Sequence, residues 1–401
     1  MQTSLHPSFS NVPGIEKAEQ ILRNCVHCGF CNATCPTYLE LSDERDGPRG
    51  RIYLIKSLLE SGSASEKSRT HLDRCLTCRA CETTCPSGVE YGKLADFGRE
   101  LLEDQLERPL PDRIQRRLLS AVVPYPERFL AALRLGRFFS FLLPVKLRKK
   151  IPPAQARKPL PAGTHARKVL LLDGCAQSAA TPATNDAARR VLDRLGITAK
   201  VVSRSGCCGA MSYHLSEHEE ARKFIRRNID ALIPGIRDGA EYVVSSASGC
   251  GVMLKDYGAV MADDPEYAEA ARQVSERTVD LCELLWNEDL KPLENSDKSQ
   301  VALHCPCTLT HGLGLSPKLR DVLLRCGIEL TRTENDHLCC GSAGTYSVLQ
   351  PEMSQRLLSK KLDALTIGSP DRIVTANVGC QLHLGTESSV PVSHWIELLD
   401  R

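Results

Sequence analysis

Cys25-Val-His-Cys28-Gly-Phe-Cys31-Asn-Ala-Thr-Cys35-Pro36 and Cys75-Leu-Thr-Cys78-Arg-Ala-Cys81-Glu-Thr-Thr-Cys85-Pro86 decide how this chain is built. Both runs spell C-x2-C-x2-C-x3-C-P, and they lie fifty residues apart, Cys25 matching Cys75 and Cys35 matching Cys85. Two-residue spacers let one tight loop turn three thiolates toward one centre. The proline and the helix behind it carry the fourth cysteine away. Thiolates are soft ligands that select iron–sulfur clusters or zinc. A structural zinc site closes with four ligands and has no use for such a run, still less for two.

The runs therefore predict two [4Fe–4S] clusters with crossed fourth ligands. One cluster takes Cys25, Cys28, Cys31 and Cys85. The other takes Cys75, Cys78, Cys81 and Cys35.

The remainder of the chain fits a globular protein large enough for two or three domains. It has 401 residues, 42% of them hydrophobic and 25% charged. Nineteen cysteines grouped in ligand spacings point to a reducing, cytoplasmic setting rather than to a secreted disulfide scaffold. Residues 1–14 lack a basic stretch followed by an apolar one, so no secretory signal is expected. No run reaches 18 apolar residues, so no spanning helix is expected. The net charge of +2 is unevenly spread. Residues 108–158 hold 13 basic and 2 acidic residues, and the rest hold 38 basic against 47 acidic.

Along the chain, residues 15–24, 48–60, 67–74 and 91–107 read as helices delivering and bridging the cysteine loops, with a proline opening the second. This gives a mainly α, ferredoxin-type two-cluster domain over 14–107. Residues 108–163 form a basic, Leu/Phe-rich arm and a Pro/Ala linker. The arm reads as a helical element packing on its own domains or a partner subunit, with a membrane surface as the alternative. Beyond it, strands at 168–173, 198–203, 241–246, 300–304, 328–331 and 372–375 alternate with helices at 183–195, 217–233, 317–326 and 351–365. That alternation implies parallel sheets flanked by helices.

The second half repeats itself. Cys175 precedes Cys307 by 132 residues, Cys207-Cys208-Gly209 precedes Cys339-Cys340-Gly341 by 132, and Cys250 precedes Cys380 by 130. The expected fold is therefore multidomain: the α cluster domain, then a duplicated α/β Cys-Cys-Gly pair at 164–290 and 296–401. Each set of cysteines follows strand ends, where parallel sheets place ligand sites. Cys175, Cys207, Cys208, Cys250, Cys307, Cys339, Cys340 and Cys380 are thus candidate thiols for a further iron–sulfur centre or for redox chemistry. Gly209 and Gly341 allow a sharp turn. His214, His304, His311 and His337 stand beside these sets. No nucleotide-binding glycine loop is present, because Gly312-Leu-Gly314 continues as Leu-Ser-Pro and residues 88–93 are one spacer short of a phosphate loop. No catalytic residue is assigned. The profile is that of an electron carrier rather than of the subunit that oxidises a substrate, with no nucleic-acid role.

Two such cysteine runs followed by two Cys-Cys-Gly domains resemble the iron–sulfur subunits of anaerobic glycerol-3-phosphate dehydrogenase, lactate-utilisation oxidases, heterodisulfide reductase and bacterial glycolate oxidase. CVHCGFCNATCPTY (25–38), GPRGRIYLIKSLLE (47–60), CLTCRACETTCPSGVEYG (75–92), PCTLTHG (306–312) and CCGSAGTYSVLQPE (339–352) look closest to the glycolate oxidase iron–sulfur subunit. The chain departs from the fullest form of the repeat, which ends in C-x-x-C. Here Ala247 precedes Cys250 and Asn377 precedes Cys380, which removes one thiolate per repeat. The resemblance implies a complex in which an FAD-containing subunit oxidises glycolate to glyoxylate. This chain would then pass the electrons to a quinone or other acceptor at the inner membrane, with peripheral membrane contact. A lactate or glycerol-3-phosphate dehydrogenase subunit, or a heterodisulfide-reductase-like thiol enzyme, is the alternative.

Overall fold

The first hundred residues fold as helices, because their apolar residues recur at helical spacing between the cysteine loops. In the computed structural model, which describes residues 2–202 and 204–400, Ile15–Asn24 buries Ile15, Ala18, Ile21 and Leu22 along one face. Pro48–Ser61 opens on its proline and stops at Gly62, whose φ of 76° is left-handed. Tyr91–Gln105 crosses it at Gly98, where an added Cβ would lie 2.7 Å from Ile55 Cγ1. These helices share one core with Cys25, Cys75 and Cys81, so the cysteine loops are rooted in packed side chains.

The chain divides into two compact units. One contains the residues up to Gln115 together with His337–Lys361. The other contains Arg116–Asp336 and the residues from Leu362 on. A piece of the second Cys-Cys-Gly repeat thus belongs with the cluster unit, where Tyr346 Oη donates to Arg74 O at 2.9 Å.

The second unit is built on two four-stranded parallel sheets of identical connectivity. β1 (Arg167–Leu171), β2 (Ile197–Val201), β3 (Val243–Ser245) and β4 (Thr278–Asp280) lie in the order β2-β1-β3-β4. β5 (Gln300–His304), β6 (Glu329–Leu330), β7 (Arg372–Thr375) and β8 (Val392–His394) lie in the order β6-β5-β7-β8. Leu171 pairs with Val201 and Val244, and Leu303 with Val374. Val169, Val244, Leu281, Val301, Leu303, Val374 and Trp395 belong to a single core, so the two repeats are buried against each other. β4 and β8 are three-residue edge strands that no apolar run announces.

Candidate metal centres

The two cysteine runs share an unusual backbone. His27 and Thr77, each third in its run, have φ of 55° and 51°, and the next-but-one residues, Gly29 and Arg79, have 86° and 60°. Two left-handed residues per loop are what turn successive cysteines inward, and only glycine adopts that region without steric cost. Thr34 and Thr84, matched in the two runs, hydrogen-bond each other at 3.2 Å, and both donate to Ala80 O. The loops are therefore tied together where each fourth cysteine leaves its run.

Two clefts result. A cleft of about 420 Å³ is lined by Cys25, Cys28, Cys31 and Cys85 with Arg49 and Ile52. A second, of about 340 Å³, is lined by Cys35, Cys75 and Cys78 with Arg51, Thr77 and Tyr91. Cys81 lines both. Each cleft thus draws thiols from both runs, and each offers at least four soft donors, which fits a [4Fe–4S] group in each.

The walls differ. At the first cleft, Arg49 pairs with Glu44 and donates to His27 O at 3.4 Å, and burial pushes the Cys31 thiol up to about 11. At the second, Arg51 is 1% exposed. It donates to Thr37 Oγ1 at 3.0 Å and His71 O at 2.7 Å, and its Nη1 lies 4.0 Å from Cys35 Sγ. Its partner Asp46 also receives His71 at 3.0 Å and Arg74 at 2.9 Å. Tyr91 Oη donates to Cys75 Sγ at 3.6 Å, and Thr77 N does so at 3.4 Å. Arg99 donates to Cys75 O at 2.6 Å. Burial raises the Cys75 thiol, but Arg51 and Arg99 lower it more, so it sits below its ordinary value. Sequence spacing found the cysteines but not Arg51, Tyr91 or Arg99. The proline-led helix carrying Arg51 was the available signal, since its basic residue falls on the apolar face.

In the first repeat, Cys175 follows β1, Cys207 and Cys208 follow β2, and Cys250 follows β3. The four sulfurs form a hydrogen-bonded line: Cys175 to Cys207, Cys207 to Cys208, Cys208 to Cys250. The bond to Cys207 and then burial hold the Cys175 thiol well above its ordinary value. Asn228 and Tyr257, which the sequence did not flag, brace the turn. Asn228 Nδ2 donates to Cys207 O at 2.8 Å and Tyr257 Oη to Cys208 O at 2.9 Å. Gly209 has φ 91° and donates to Cys207 Sγ at 3.5 Å.

In the second repeat, Gly341 has φ 88° and donates to Cys339 Sγ at 3.4 Å. Its ideal Cβ would lie 2.6 Å from Ser354 O, so glycine is required there. Cys339 and Cys340 belong to the cluster unit, whereas Cys307 and Cys380 follow β5 and β7 in the other. His304 is buried at the end of β5 with Nδ1 2.9 Å from Thr375 Oγ1. All nineteen cysteines are unbridged.

Crossed thiol sets in a helical unit, joined to a duplicated parallel α/β unit, define a dicluster iron–sulfur protein with cysteine-rich repeats. Comparison with known proteins agrees. A 4Fe-4S dicluster domain matches residues 21–89. A cysteine-rich domain matches residues 169–255 and 301–385. The chain carries [4Fe–4S] clusters and acts in electron transfer. It is 50% identical over 402 residues to the glycolate oxidase iron-sulfur subunit of Escherichia coli (strain K12), covering 100% of this chain and 99% of that one. It is 30% identical to the probable glycolate oxidase iron-sulfur subunit of Bacillus subtilis (strain 168), covering 91% and 89%. Lactate utilization protein A of Bacillus velezensis is 29% identical over 52% of this chain and 89% of its own. A crystal structure of a hypothetical protein from Helicobacter pylori shares the fold, with a TM-score of 0.59 at 9% identity over 98% of this chain and 72% of that one. The chain belongs to the glycolate oxidase iron–sulfur subunit family. Among the described residues no helix is long and apolar enough to cross a membrane.

Proposed function

We propose that this chain is the electron-carrying subunit of a glycolate-oxidising complex. A flavoprotein partner takes two electrons from glycolate, and the chain delivers them singly to a quinone or similar acceptor at the cytoplasmic face of the inner membrane. Cys25, Cys28, Cys31 and Cys85 hold one [4Fe–4S] group; Cys35, Cys75, Cys78 and Cys81 hold the other. The observation that carries this reading is the pair of clefts that draw on both cysteine runs and share Cys81. Groups of this kind, when bound, exchange one electron each, which divides the pair a flavin delivers. The chain's own residues set the surroundings: Arg51, Arg99 and Tyr91 place positive charge and a hydroxyl proton at the second cleft, and the left-handed residues aim the thiols. Lactate as substrate is less well supported, since those relatives align over only about half the chain. The four-thiol line of the first repeat is a candidate for a further centre.

The test is anaerobic. Glycolate should bleach the iron–sulfur absorbance of this chain when the flavoprotein is present and leave it unchanged when the chain is alone. Bleaching of the isolated chain by glycolate would overturn the division of labour.

A further inference from the structure

We propose that residues 134–151 form a membrane-docking protrusion that seats the chain on an anionic lipid surface. The inference deepens, and for its purpose rests on, the reading that electrons leave to a membrane acceptor.

The helix Pro126–Phe138 is rooted in the second unit by Leu133, which packs with Ala179 and Ala180. The chain then leaves the body and returns. Its neck is closed where Ile151 lies against Gly136, whose ideal Cβ would sit 3.0 Å from Ile151 Cδ1, and where Arg137 Nε donates to Pro152 O at 2.8 Å. What projects beyond the neck is apolar and uncovered: Phe138, Phe141 and Leu142 are 72%, 71% and 68% exposed, and Val145 and Leu147 are more than half exposed. Large apolar side chains left uncovered together on one short segment mark a docking surface.

Two observations commit it to lipid. The first is charge. Arg134 and Arg137 stand at the outgoing foot, and Arg148 and Lys150 at the returning one, where Lys149 pairs with Glu387 at 2.6 Å. No acidic residue occurs between Glu127 and Asp173. Apolar tips flanked by cations suit an anionic headgroup layer over hydrocarbon. The second is backbone satisfaction. Hydrocarbon offers no partner for a free amide. Phe139, Leu142, Leu143, Leu147, Arg148 and Lys149 each donate their N–H to a carbonyl within the segment, and Pro144 at the bend has none to donate. These bonds lower the cost of laying those residues against hydrocarbon.

The test is flotation of the anaerobically purified, cluster-loaded full chain with vesicles of phosphatidylglycerol and phosphatidylethanolamine, against vesicles of phosphatidylcholine alone. Wild type should float with the anionic vesicles and be released by high salt. The triple variant Phe138→Ser, Phe141→Ser, Leu142→Ser should lose at least tenfold in bound fraction, with iron–sulfur absorbance unchanged. Arg148→Gln with Lys150→Gln should lose the preference for anionic lipid. Wild type that stays in the aqueous fraction with every vesicle overturns the proposal, as does a triple variant that floats like wild type. A triple variant that binds vesicles normally but no longer co-purifies with the flavoprotein also overturns it, making the patch a subunit contact. Failure of vesicle binding with normal reduction by the flavoprotein sinks this inference alone, whereas failure of reduction sinks the electron-carrier reading.

Discussion

Arg51 is the side chain on which the second cleft depends. It holds a full charge at 1% exposure, faces Cys35 and lines the cavity with Cys75 and Tyr91. Burial works against that charge, and Cys75, Tyr91, Cys35 and Asp46 hold its pKa above the ordinary value. A positive charge and O–H···S bonds near thiolate sulfurs stabilise the reduced, more negative form of a cluster and raise its potential. Replacing Arg51 with Met should therefore lower the potential of one cluster by at least about 59 mV, one tenfold step of a one-electron couple. Tyr91→Phe should shift it the same way by less, and Arg51→Lys should restore most of it. An EPR-monitored redox titration reads each cluster separately, and unchanged potentials in Arg51→Met would contradict the assignment. The cysteines were legible in the sequence because ligand spacing is local. Arg51, Arg99 and Tyr91 were not, because their importance lies in burial among helices far apart in sequence.

The strands carry a different lesson. Long apolar runs such as β1 and β5 were readable, while β4 and β8 were not: Thr278-Val-Asp280 and Val392-Ser-His394 are not apolar runs, and their place is set by pairing with β3 and β7. The helix expected over 217–233 extends as His218–Arg237 and runs through Pro234, which has no N–H to donate to the preceding turn. β8 also bears a titrating link between the repeats. His394 Nε2 donates to Ser246 O at 2.8 Å, and its Nδ1 accepts from Ile396 N. Burial lowers its pKa from 6.5 to about 3. The unfolded chain then binds a proton below 6.5 that the folded chain refuses until about 3, so this residue removes stability as pH falls through that window. Asp280, buried and raised from 3.8 to about 6, acts oppositely, removing stability as pH rises between those values. The difference between wild type and His394→Gln isolates the histidine. The wild-type stability slope should exceed the variant's by about 1.36 kcal/mol per pH unit near pH 5, falling toward zero by about pH 8. Denaturant unfolding near pH 5 and near pH 7 checks it, and parallel slopes would refute it.

Over the whole molecule, sequence order and compact units part company. Residues 337–361 repeat the pattern of the first Cys-Cys-Gly turn, yet they belong with the cluster unit, where Tyr346 meets Arg74 and Lys360 pairs with Glu40. An internal repeat predicts equivalent local structure, which the matched sheets and the matched left-handed glycines bear out. It does not predict which neighbours each copy acquires. The cluster class was readable from two short runs, whereas the exposure of the protrusion at 134–151 was not, because composition alone does not distinguish a packed Phe from a bare one.

The central claim is that thiols crossed between two loops hold a pair of four-iron clusters. Low-temperature EPR of the dithionite-reduced, anaerobically purified chain tests it most directly. Two magnetically interacting [4Fe–4S] spins per chain, with about eight iron atoms in those two clusters, are the predicted result. A colourless, EPR-silent sample, or one isolated spin, would contradict it.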